Sequence, residues 1–131
     1  MFEKMKTSHA AVTVFPFGIY LIVLGAIIMV FPAPILSLAK IENFDVIANL
    51  MGMLTLICGY FYTRCALEGV EMQKFFHFTT HTRTVQIVIL ILFVFLVPAD
   101  PLLLSFGIVD LAACCWTLIA LRKDKAEKAK K

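Results

Sequence analysis

Charge is what this 131-residue chain has least of: only 16% of its residues are Asp, Glu, Lys or Arg against 61% hydrophobic, with a mean hydropathy of +0.92. A soluble globule of this length needs far more polar surface, so the composition excludes a water-soluble fold and points to an integral membrane protein. The second absence is of recognisable chemistry, since no catalytic, nucleotide-binding or metal-binding motif completes itself along the chain. The third concerns cysteine. Cys114 and Cys115 are adjacent, Cys58 and Cys65 lie two helical turns apart, and no C-x-x-C pair exists. Neither a disulfide framework nor a dithiol centre is expected, and the four read as small, polarisable packing residues. The formal net charge of +3 is no nucleic-acid signal, because the excess sits beside apolar spans where anionic lipid attracts it.

What is present is apolar length. Residues 10–39 carry no charge, and a first helix is expected over about 12–31; the run is too long for the 7 to 15 residue core of a signal peptide. Pro32 and Pro34 stop it, leaving 35–44 as an outer connection with a short interfacial helix. The second span is expected at 46–65. Between Cys65 and Arg83 the composition turns mixed, with Met72, Phe75, Phe76 and Thr79 on one helical face and Lys74, His77 and His81 on another, as in a surface connection. The third span, about 82–98, has an apolar run short for a bilayer and borrows residues before Arg83, whose long side chain can snorkel to the surface. A turn over 98–101 leads to the fourth span, 102–121. Six Lys/Arg follow it at once: Arg122, Lys123, Lys125, Lys128, Lys130 and Lys131.

These features predict one all-α domain, a four-helix transmembrane bundle running up-down-up-down. Eleven of the twelve Lys/Arg fall on one side of this arrangement and only Lys40 on the other, which places both termini in the cytoplasm. Small residues recur every seven positions: Gly18 and Gly25, Gly52 and Gly59, Gly107 and Cys114. Each pair lies on one face, where helix backbones can approach. The segments after the first and third helices, VFPAPILS and VPADPLLLS, form a weak parallel repeat of two hairpins.

Asp110 is the one charge within the last span. A carboxylate there costs about 2.5 to 3.5 kcal/mol, so it should face the protein interior and be paired, hydrated or protonated. By depth, Tyr20 and Thr55 reach its level, and their hydroxyls are the expected clasp; the competing reading is a proton or cation site. His77 and His81, spaced i, i+4, share a side as metal ligands do, with Glu68 and Glu71 in reach if the connection folds back. Two histidines are a weak signal, and an interfacial polar face is the expectation, with neither metal nor cofactor. Arg64 and Arg83 flank this connection as membrane-surface anchors or lipid-phosphate ligands.

Several pieces together, GIYLIVLG over 18–25, GYFY over 59–62, Thr82-Arg83, and DLAACCWT over 110–117 ending in ALR at Arg122, resemble small four-helix bacterial inner-membrane proteins of the DoxX-like type. The resemblance implies a four-helix bundle in the inner membrane and no particular activity; related thiol oxidoreductases carry a C-x-x-C pair that this chain lacks. The leading expectation is a non-enzymatic accessory protein or membrane-complex subunit, with membrane lipids, itself or other membrane subunits as partners and no nucleic acid. A small proton- or cation-coupled transporter using Asp110, and a membrane enzyme acting on a lipid or quinone, are the alternatives.

Overall fold

A computed structural model describes residues 2–33, 46–96 and 104–130. Regular structure among them is entirely helical: a single turn α1 (Phe2–Met5), then α2 (His9–Val30), α3 (Val46–Leu67), α4 (Gln73–Leu96) and α5 (Leu104–Lys128), with a 3-10 turn (Gly69–Met72) joining α3 to α4. Four stretches are long and apolar enough to cross a membrane, one per long helix. The protein is therefore a multi-pass, all-α membrane protein. The outer connections expected at 35–44, with Lys40, and at 98–101 lie outside the described residues.

Two expected boundaries need correction. Helix α4 begins at Gln73 rather than near residue 82, so the second half of the mixed segment is not a separate connection but about the first three turns of the same helix. Helix α5 runs on to Lys128, and most of the basic tail is helical. In both cases the polar residues have one face packed on neighbouring helices, and burial of that face extends the helix past the end of the apolar run.

Local sequence explains the ends of α2. Ser8 is its N-cap, with extended backbone at φ −135° and a hydroxyl that accepts the Ala11 N–H at 3.3 Å. At the other end the Phe31 N–H still reaches the Ile27 carbonyl at 2.7 Å, and Pro32 then offers no donor to carry the ladder on. Gly69, at φ +63°, makes the reversal into α4. A Cβ there would run into the Lys4 carbonyl, so the close approach of the N-terminal turn and the left-handed backbone both demand glycine.

Helices α2 and α3 pack antiparallel through the glycines. A Cβ on Gly18 would lie 3.0 Å from the Gly59 carbonyl, and one on Gly59 2.7 Å from the Gly18 carbonyl. Gly25 and Gly52 face each other one step further out, where a Cβ on Gly25 would lie 2.7 Å from the Gly52 carbonyl. Helices α4 and α5 form the second hairpin, and α2 also packs on α5. Gly107 and Cys114 belong to that second hairpin, Gly107 beneath Leu90 and the Cys114 thiol 3.6 Å from the Thr80 carbonyl. The buried apolar cluster, Ala10, Ala11, Val14, Ala66, Phe76, Ala120 and Leu121, lies where the two hairpins meet, close to both termini.

Candidate functional site

The buried polar residues follow one seam between α2, α4 and α5. At its rim, on the face that carries both termini, the Asp124 carboxylate accepts from the Ser8 hydroxyl at 2.6 Å and from the backbone N–H groups of His9 at 2.8 Å and Ala10 at 3.2 Å. An aspartate on the last helix thus caps the first long one. Deeper along the seam Thr13 meets Thr117 at 3.2 Å, and each also donates within its own helix, to Ala10 and Ala113. Thr80 and Thr84 likewise donate to carbonyls one turn back on α4. These threonines are hydrogen-bonded within the bundle, Thr13, Thr80 and Thr117 buried and Thr84 exposed.

Arg83 is different. About 15 Å along α4 from Gln73, it is 1% exposed and the largest side chain that the fold encloses completely. Its guanidinium carbon lies 3.7 Å from the centre of the Phe17 ring and 5.3 Å from that of Tyr62, and those two rings are 5.8 Å apart. None of its three nitrogens makes a hydrogen bond of good geometry among the described residues, although the Tyr62 side chain is close enough to interact with the charge. A desolvated cation–π contact is worth about 2 kcal/mol, whereas the dehydration of an ion costs several. The rings alone do not offset the burial. Arg83 is thus neither a surface anchor nor snorkelled, as its place beside the apolar run had suggested: it sits on the face of α4 that turns toward α2.

Asp110, 9% exposed, is the counter-charge. Its Oδ2 accepts from Nε2 of Gln86 at 2.6 Å, and Gln86 stands one turn beyond Arg83 on the same helix. Arg83 and Asp110 interact electrostatically but do not form an ion pair. The expected clasp is corrected accordingly. The Thr55 hydroxyl donates to the Met51 carbonyl of its own helix at 2.8 Å and takes no part. Tyr20 is half-buried, its ring 5.9 Å from Phe17, and it feels the Asp110 charge without bonding to it.

The remaining candidates lie on the terminal face and do not converge. Arg64 is exposed. Glu68 and Glu71 turn toward Lys4, at 3.4 and 3.7 Å, and hold its ammonium above the ordinary lysine range, chiefly through the hydrogen bond to Glu68. His77 and His81 are both exposed on α4. Among the described residues no three His, Cys, Asp or Glu side chains come together as a metal site would require.

Sequence reasoning missed Gln86, Phe17, Tyr62 and Asp124, and it misplaced Arg83. One signal was available: Gln86 is the only amide in the apolar run 84–97, one turn from Arg83. No protein-family model matches this sequence, and neither a curated protein nor a solved structure matches it.

Proposed function

We propose that this protein is a non-enzymatic component of a membrane system, an accessory or binding subunit that works through a charged site inside its bundle, with Arg83 as the binding group and Asp110 as its counter-charge. The observation that carries the reading is the guanidinium of Arg83, enclosed by Phe17 and Tyr62 with no ion pair and no well-formed hydrogen bond among the described residues. A charge held at such cost without a direct ion pair is poor structural cement, because apolar replacements of buried ions are commonly neutral or stabilising. It suits a site whose acceptor arrives from elsewhere. Cytoplasmic termini and an inner-membrane setting belong to the same proposal, supported by the charge asymmetry.

The test is a double-mutant cycle read by thermal unfolding in detergent, with mass spectrometry of organic extracts of the purified protein. Arg83→Met leaves Asp110 without a nearby cation, and Asp110→Asn leaves Arg83 without an anion, so each single variant should lose about 1–2 kcal/mol. The double variant removes both charges and should match or exceed the wild type. A lipid-soluble molecule retained by the wild type and missing from the double variant would identify the ligand. A double variant less stable than either single one, with an unchanged extract, would return both residues to a structural role.

Proton- or cation-coupled transport is the second reading, favoured by the line of polar side chains from Asp124 to Asp110. In reconstituted vesicles it requires an Asp110-dependent proton or cation flux. Subunit function requires none.

A further inference from the structure

The end of α5 sorts its charges by direction. Asp124 and Glu127 turn toward the start of α2, the first capping it and the second 3.0 Å from Nε2 of His9. Lys125 and Lys128 turn the other way, toward α4, where they line a groove of about 160 Å³ with Lys74, His77, Gln73 and Leu121. No carboxylate lines that groove. Among the described residues, moreover, the only ion pairs are those of Lys4 and His9, so Lys74, Lys125 and Lys128 are un-neutralised. One of the lysines is already held in place, the Lys128 ammonium donating to Oε1 of Gln73 at 2.5 Å.

From this convergence we infer that the groove between the start of α4 and the end of α5 is a binding site for the phosphate of an anionic phospholipid. Position decides between lipid and dissolved phosphate. Leu121 on the groove wall is the last apolar residue of the fourth span, and Lys125 and Lys128 stand about one and two turns beyond it, at the depth where headgroup phosphates lie. Three ammonium groups drawn to one small volume repel one another, and an anion between them reverses the sign of that interaction. Helix polarity acts in the same place, since the C-terminal turn of α5 favours the two lysines it carries. The site is separate from Arg83: it lies at the rim, opens to the headgroup layer and takes a charged ligand.

The experiment uses the full chain in detergent, titrated with phosphatidylglycerol, phosphatidylcholine or inorganic phosphate and read by native mass spectrometry and by thermal unfolding. The wild type should retain phosphatidylglycerol and gain stability from it, with phosphatidylcholine and millimolar phosphate giving little. Lys125→Gln with Lys128→Gln should weaken that binding roughly tenfold or more. Arg122→Gln with Lys130→Gln removes the same charge from the same basic tail outside the groove, and binding should stay near the wild-type value. Equal losses in the two double variants would show diffuse attraction to a basic tail and overturn the site. Protection by inorganic phosphate as strong as that by phosphatidylglycerol would overturn the lipid as its source. Unfolding of both variants without lipid should match the wild type, which separates lost binding from lost folding; a groove variant unstable without lipid makes these lysines structural and overturns the inference.

Discussion

Asp124 shows how much one side chain can bear. It is 6% exposed although it stands among Arg122, Lys123 and Lys125, and it accepts from three donors at the start of α2. Replacing it with Ala strands those donors in a closed rim, so Asp124→Ala should cost about 1–2 kcal/mol in detergent unfolding and speed hydrogen exchange at the His9 and Ala10 amides. Unchanged exchange there would mean that Ser8 caps the helix unaided. Gln86 and Thr55 make a second comparison at this scale. Gln86→Leu removes the donor to Asp110 and should cost about 1 kcal/mol, within the range measured for hydrogen bonds inside membrane bundles. Thr55→Val removes a bond confined to its own helix and should change unfolding by less than about 0.5 kcal/mol. The reverse ranking would restore the Thr55 clasp.

Between elements, the two hairpins are joined by different means. Helices α2 and α3 touch backbone to backbone: a Cβ on Gly25 would fall on the backbone N of Leu56, and one on Gly59 2.6 Å from that of Ile22. A backbone cannot rotate away as a side chain can. Gly25→Ala and Gly59→Ala should therefore each cost about 1–3 kcal/mol, as overpacking does, and lower the melting temperature in detergent. Gly107 faces only a side-chain methyl, Leu90 Cδ2, at 2.9 Å. Gly107→Ala should be tolerated with a change under about 1 kcal/mol. Equal losses at all three positions would place close backbone contact in both hairpins.

At the scale of the whole molecule, the bond from Ser8 to Asp124 fixes both termini on one face, whichever compartment that face meets. The charge asymmetry is what supports the proposal that this face meets the cytoplasm. A single reporter cysteine at Lys130, in a chain cleared of its other four cysteines, should be blocked by membrane-impermeant reagent only after cells are opened. Labelling in intact cells would invert the molecule and place the lysine groove in the opposite leaflet.

Composition and periodicity alone determined the membrane class, the four spans and the glycine faces of α2 and α3. Each follows from local rules: an apolar run of about 20 residues has one stable state in a bilayer, and residues seven apart share a helical face wherever the helix packs. Which faces meet was decided by the tertiary structure. Arg83 beside an apolar run satisfies the pattern of a surface anchor and of a buried charge alike, and only the arrival of Phe17 and Tyr62 from other helices selects burial. Asp124 in a basic tail looks solvated until the start of α2 is brought against it. Sequence sets the rotation of side chains about each helix axis, but partners more than a hundred residues away, as Ser8 and Asp124 are, are chosen by how whole helices pack, and no local pattern carries that information.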